Sequence, residues 1–396
     1  MSYGNEKRCL SYISLLHFVT ILLPIRAFPP PHFHLKSNNL HSNPYSKSYL
    51  KTIHSDQDQI RGDKYGLHNN STIPTPQQVA ELVGVKPSLD ASKQTWKRAW
   101  VLQKRALPFL HFSERFSRYK VVDSSLNLAC LWWKALSGND RLSLAYDDGL
   151  SFDLLPKFTR YIVHPKLVRR YPRLHHANVE IRTVFLDASV KELIQFQSSH
   201  SSNVKLQFRL ISMGAGYDIR SVKLLTSGLI QQAYEIDLPE VVQAKQLLLQ
   251  RLQKRRNHLT KEHFPTLMGV DLNHVQDLKQ ILLDILTSST DEEENEDVIW
   301  HNIFLFEGVM IYLNDGIPSQ LLHTCSSVMK EVSSSFQNDP NASLCLADRM
   351  ENVPGGDETL GKVELSTNGW DLVTWLPKPG LARHMCSATL STGSDS

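Results

Sequence analysis

The chain has 396 residues, 41% hydrophobic and 21% charged, a balance that permits a large buried core and excludes a disordered or fibrous chain. The formal net charge of +3, much of it carried near the N-terminus, is far from the basic excess of a dedicated nucleic-acid binder, so no nucleic-acid partner is expected. The five cysteines, Cys9, Cys130, Cys325, Cys345 and Cys386, are odd in number and show no metal-ligand spacing; they read as reduced thiols, and no metal site is expected.

Lys7 and Arg8 precede an apolar stretch from Leu10 to Ile25, the charge and hydropathy pattern of a signal segment over residues 1–27. At 16 residues the stretch is shorter than the roughly 20 needed to cross a bilayer, so no membrane span is expected in the mature chain. From Phe28 to Ser55 there is no Asp or Glu, and Ser, Asn, His, Pro and Lys dominate, so residues 28–75 read as a transit-like or disordered linker. In series the two parts resemble the bipartite presequence of secondary plastids in diatom-like algae, where a phenylalanine follows the cleavage point as Phe28 follows Ala27 here. That resemblance implies a plastid location. A secretory signal with a plain linker, or a misassigned start codon ahead of a cytoplasmic chain, are the other readings.

Residues 76–180 have a helical pattern and form an expected N-terminal cap. Trp96, Ala99 and Trp100 share a face, and Leu126, Leu128, Ala129, Leu131 and Trp132 make an apolar run ending at Gly138, both read as core packing. Arg160, Lys166, Arg169, Arg170 and Arg173 read as a solvated basic face. From there the rhythm changes over a domain expected at 181–390. A helix over Ile181–Phe196 leads to a strand over Leu206–Ser212, which runs into Gly214-Ala215-Gly216 and a helix through Leu225. Strands follow at Gln232–Leu238, Thr266–Asp271, Asn302–Met310 and Ser343–Met350, with helices at Pro239–His258, Val275–Leu286 and Ile317–Phe336 between them and an acidic loop at 291–297. Strands alternating with long helices predict an α/β fold with a doubly wound, mostly parallel sheet.

In such a sheet ligands bind beyond the carboxyl ends of the strands. The first expected strand closes on Gly214 and Gly216, the second on Asp237, the third on Asp271 and the fourth on Glu307. A glycine pair alone is common; four successive strand ends carrying Gly, Asp, Asp and Glu are far more specific. Glycines allow close approach of a ligand, and an acid at the spacing of Asp237 accepts from ribose hydroxyls. The dinucleotide fingerprint would need a glycine where Ile219 stands, and Asp218 would repel a pyrophosphate at the following helix N-terminus. A positively charged sulfonium donor without phosphate suits this acidic setting, which favours S-adenosylmethionine over NAD. A Rossmann-type NAD(P)-dependent oxidoreductase and a catalytically inactive binding module of the same fold are the alternatives.

The run from Arg209 to Arg220, the run from Glu235 to Val242 (EIDLPEVV), the run from Phe306 to Leu313 (FEGVMIYL) and Ile181-Arg182-Thr183 resemble motifs of the leucine carboxyl methyltransferase family. The run Leu167–Pro172 is more similar to its small-molecule, bacterial and plant branch. The resemblance spans about residues 152–350. It implies a seven-stranded methyltransferase sheet with S-adenosyl-L-methionine as cofactor. By the same resemblance Arg182 grips the donor carboxylate, and Gly214, Ala215 and Gly216 lie under its methionine portion. Asp237 and Leu238 hold the ribose, Asp271 and Leu272 frame the adenine, and Glu307 faces the donor's amino group. Tyr312 is the candidate catalytic residue near the acceptor. The implied reaction is O-methylation of a carboxyl or hydroxyl group on an unidentified small molecule or protein terminus. No motif marks a general base; His164, His175, His176 and His301 read as structural. The tail after Met350 is expected to cap the acceptor pocket.

Overall fold

The computed structural model describes residues 124–391, except 142, 158, 168–172, 201–204, 288–297, 337–340, 354–355 and 378–383. The signal-like and transit-like segments, the first part of the expected cap, Arg169, Arg170 and the acidic loop therefore lie outside the described residues.

Within them seven strands form one sheet in the order β3-β2-β1-β4-β5-β7-β6. In chain order these are β1 (Lys205–Met213), β2 (Gln232–Asp237), β3 (Thr266–Gly269), β4 (Val298–Glu307), β5 (Ala342–Asp348), β6 (Trp370–Pro377) and β7 (His384–Leu390). The first five pair in parallel; β7 runs antiparallel between β5 and β6. The helices are α1 (Ser124–Gly138), α2 (Leu150–Leu154), α3 (His164–Leu167), α4 (Arg173–His200), α5 (Arg220–Thr226), α6 (Pro239–Arg255), α7 (Val275–Thr287), α8 (Ile317–Phe336) and α9 (Glu358–Thr367), with a π-helical turn at Thr159–Val163.

Strand order reverses between β1 and β4, so the crevice that opens beyond their carboxyl ends is where such sheets take ligands. Alternation along β4 divides the core. Phe304 and Phe306 pack with α7, α8 and Trp370 on one face, and Ile303 and Leu305 pack with α4 on the other. A third cluster joins α1 and α2 to α5 and α6 through Trp132, Leu154, Val222 and Leu252. It fastens the described part of the cap to the sheet domain.

Several boundaries differ from the sequence reading for local reasons. β4 starts at Val298, four residues before the expected start: Val298, Ile299, Trp300 and His301 pair with β1 from Lys205 onward. β3 ends at Gly269, where the chain passes under the first turn of α6; a Cβ on Gly269 would come within 3.0 Å of Pro239. Asp271 is thus past the strand, in a turn. Arg160 is not on a solvated face: it is buried, paired with Asp153 at 2.9 Å and set over the rings of Phe152 and Tyr161. Among the described residues, none of the tail after Met350 lines the crevice. The tail builds α9, β6 and β7 and completes the sheet, with Trp375 against Gly361 of α9. Among the described residues no helix is long and apolar enough to cross a membrane, no cluster of His, Cys, Asp and Glu could hold a metal, and all four cysteines are free.

Beneath the sheet's ligand end, Lys245 of α6 meets Glu235 of β2 at 2.5 Å, each only 2% exposed. Burial pushes the Glu235 carboxyl up, and Lys245 offsets this only in part. Removing one member of such a pair strands the other charge in the core. Lys245→Met is therefore expected to cost about 3–5 kcal/mol in urea unfolding, and the double variant Lys245→Met with Glu235→Gln is expected to regain most of the loss; an unchanged midpoint in the single variant would show the pair to be dispensable.

Candidate active site

The strand ends at the β1/β4 switch carry the site. Beyond β1 the chain turns through Gly214 and Gly216, at φ 60° and 48°, which side-chain-bearing residues rarely adopt. Gly214 donates its N–H to the Ile236 carbonyl at 2.8 Å, tying the turn to β2, and a Cβ there would run into the Val309 side chain. The Asp237 carboxylate accepts from Gly216 N–H at 2.6 Å and Leu238 N–H at 2.7 Å; burial pushes its carboxyl up, against these two bonds. The end of β2 therefore props the glycine turn directly. At the start of α5, Asp218 accepts from the N–H groups of Ile219 (2.7 Å) and Arg220 (3.2 Å), so a carboxylate already fills the place a phosphate would need.

A cleft of about 610 Å³, its open mouth included, lies over this turn. Its lining combines Gly214, Ala215, Gly216, Tyr217 and Asp218 with Arg182 of α4, Glu307 and Gly308 after β4, and Tyr312. The facing wall is one side of α1, with Asn127, Cys130, Leu131 and Lys134 at helical spacing. At the floor, Glu307 Oε2 meets Lys134 Nζ and Arg220 Nη1, both at 2.9 Å, and Oε1 faces Arg182 Nη2 at 3.5 Å. Lys134 also reaches Asp218 at 3.1 Å, and Arg220 extends the network to Asp218 and to Asp187 at 2.7 Å. Burial opposes ionisation of Glu307, but Lys134 and Arg220 outweigh it and hold the carboxyl below its usual range; Asp218 is held down in the same way by Arg220 and Lys134.

Besides Arg220 Nη2, two buried atoms of this floor make no hydrogen bond within the protein, Arg182 Nε and Glu307 Oε1. One is a cationic donor and the other an anionic acceptor, side by side. That is the complement of an amino-acid head group, a carboxylate for Arg182 and an ammonium for Glu307. The site residues expected from sequence divide accordingly. Arg182, Gly214, Ala215, Gly216, Glu307 and Tyr312 converge on the cleft. Asp237 and Leu238 stand behind the glycine turn, outside the lining. Asp271 accepts from the backbone and side-chain nitrogens of Asn273, both at 2.9 Å, within its own turn, and Leu272 is buried in the core.

Tyr312, 58% exposed at the mouth, has its phenol pushed up to about 12, by partial burial first and then by the Cys130 thiol. It keeps its proton at neutral pH, which leaves it able to donate a hydrogen bond. Burial likewise raises the Cys130 thiol. His164 and His301 are structural: His164 accepts from Trp132 Nε1 at 3.2 Å, and His301, beside Ser343, is pushed down to about 4 by burial. Lys134, Asn127, Cys130 and Arg220 were not among the expected site residues. The only signal for the first three was their common spacing on the polar side of an otherwise apolar helix.

The doubly wound sheet with one antiparallel strand, a glycine turn after β1 and acids closing β2 and β4 is the fold expected of an S-adenosylmethionine-dependent methyltransferase. More particularly, residues 150–326 match the family model of leucine carboxyl methyltransferase. No curated protein matches the chain by sequence. Among solved structures, it is similar to magnesium protoporphyrin IX methyltransferase from Synechocystis PCC 6803 with bound S-adenosylmethionine, at 14% identity and TM-score 0.33, over 59% of this chain and 94% of that one. Human N-acetylserotonin methyltransferase in complex with S-adenosylmethionine aligns at 14% identity and TM-score 0.29, over 64% and 74%. The mitomycin 7-O-methyltransferase aligns at 12% and 0.29, over 81% and 74%. These likenesses are distant.

The network has a measurable pH signature. Asp187 is half-buried, yet Lys223, at 2.7 Å, and Arg220 hold its carboxyl down at about 2. A depressed folded-state value stabilises the protein above the unfolded value of about 4, and that contribution is lost as pH falls through the folded value. The stability gap between wild type and Asp187→Asn is expected to be about 2 kcal/mol at pH 6 and to close between about pH 4 and pH 2. Chemical unfolding across that range measures it, and a pH-independent gap would remove the ion pair as its cause.

Proposed function

We propose that this chain transfers a methyl group from S-adenosylmethionine to a carboxylate oxygen of its acceptor. The observation that carries the donor half is a pair of buried atoms that make no hydrogen bond within the protein, Arg182 Nε and Glu307 Oε1, on side chains that approach to 3.5 Å. Arg182 would bind the donor's carboxylate and Glu307 its ammonium, while the tight turn through Gly214 and Gly216 leaves room above the backbone. Asp237 supports that turn from behind and offers its remaining lone pairs to the ribose. Bound there, the donor supplies a methyl group on a positively charged sulfur.

The acceptor half follows from the cleft's side chains. Among the described residues, the lining contains no histidine. Its acids, Glu307 and Asp218, are held ionised by cations and are too weakly basic to take a proton at neutral pH. Tyr312 and Cys130 both hold their protons. A lining without a base suits an acceptor that is already an anionic nucleophile, and a carboxylate is one. Catalysis then consists of alignment, for which effective molarities can reach about 10⁵ M or more. Tyr312, as a neutral donor at the mouth, is placed to orient such an acceptor. A small molecule or a protein terminus could present it. The presequence-like start adds a proposed plastid location for this activity.

Two readouts test the two halves. Titration calorimetry with S-adenosylhomocysteine should show binding that Glu307→Gln weakens at least about 30-fold, the scale of a lost charged contact of about 2 kcal/mol, while NAD gives no heat; NAD binding in place of the donor product would favour an oxidoreductase. With radiolabelled donor and pooled carboxylic acids and phenols, the product label should be released as methanol by mild alkali, as esters are. Alkali-stable label would make the acceptor a hydroxyl instead.

A further inference from the structure

Asp348 closes β5 and is wholly buried; the charge of Arg182 reaches it, but no cation forms an ion pair with it among the described residues. Its partners are backbone groups. Oδ2 accepts from Val309 N–H at 2.5 Å and Met310 N–H at 2.8 Å, and Oδ1 accepts from Arg349 N–H at 2.8 Å. Burial pushes its carboxyl up, and the three backbone donors, helped by the more distant charge of Arg182, work against that cost. Two of the three belong to the segment after β4. That segment starts beside Glu307 at the cleft floor, turns at Gly308 with φ 69°, and ends at Tyr312 at the cleft mouth. Its Val309 side chain fills the space directly over Gly214. The glycine turn after β1 and the segment after β4 thus meet at the Gly214–Val309 contact, and Asp348 fixes the second of them from the neighbouring strand.

We infer that Asp348 is a positioning residue for donor binding, acting through Val309 to set the gap between the glycine turn and the Glu307–Tyr312 segment. The inference rests on the donor reading above. A carboxylate is required because it accepts on both oxygens. An amide of the same shape turns an NH₂ toward one set of backbone donors, so either the Val309 and Met310 N–H groups or the Arg349 N–H loses its acceptor.

The experiment is a double-mutant cycle with Asp348→Asn and Val309→Ala, each read by calorimetric titration of S-adenosylhomocysteine at a temperature where thermal melts show all variants folded. Asp348→Asn should weaken binding about ten-fold or more, and adding Val309→Ala to it should cause little further loss, because both act on one contact. Independent, additive losses, or wild-type affinity in Asp348→Asn, would overturn the role. Should Asp348→Asn fail to fold, Val309→Ala alone decides: weaker binding supports the contact's part in donor binding, and unchanged binding overturns it. A folded wild-type protein that binds no donor product would instead refute the donor reading, a result separate from either pattern among the variants.

Discussion

Everything at the ligand end of this protein depends on keeping one carboxylate ionised inside the fold. Glu307 ends the central strand β4 with its side chain almost out of reach of water, where an isolated charge would be prohibitively costly. Three cations make it tolerable, and each comes from a different helix: Lys134 from α1, Arg182 from α4 and Arg220 from α5. The packing of those helices is therefore constrained twice, once by their apolar stripes and once by the need to bring a charge to the same point. Arg220 carries the constraint outward to Asp218 and Asp187, and Lys223 closes it. Surface pairs contribute little to stability, but in a buried network the removal of one member leaves another uncompensated. Binding site and fold stability are, here, the same interactions.

The cleft is correspondingly two-sided. Its floor is charged, fixed and matched to a zwitterion. Its mouth, around Tyr312, Cys130 and Asn127, is neutral. Charged groups aimed at a donor's head group can hold it in register without competing for the acceptor, and a neutral mouth does not attract a proton away from the reaction. The division follows from geometry: strand ends converge at the floor, while α1 and the segment after β4 form the walls.

The sequence made the parallel half of the sheet readable because its strands are apolar runs that stop at chemically marked residues. Helix α8 was placed to the residue, and Gly214, Arg182 and Glu307, expected together from their motifs, do converge. What escaped was of three kinds. Asp271 looked like a strand end, but β3 is cut short where Gly269 passes beneath Pro239, a tertiary contact with no local signal. Strands β6 and β7 are antiparallel, and β7 is built from small and polar residues whose burial comes from the neighbours on either side. Lys134 escaped because Leu128, Leu131 and Trp132 make α1 read as a core helix, and nothing in a single sequence says what its polar side will face. Arg160 misled in the opposite direction: a basic residue in a basic stretch, buried by an acid, Asp153, and two aromatic rings.

The pairing of Lys134 with Glu307 spans 173 positions of the chain. During synthesis the cap helix is made long before its partner strand, so Lys134 waits with its charge in water, and the floor of the cleft has no existence until β4 has been threaded beside β1. Contacts of this separation form late, because the loop they close must be ordered first. On the proposed donor reading, the cleft floor is therefore completed only when two distant parts of the chain have met, and donor affinity would report on that long-range contact.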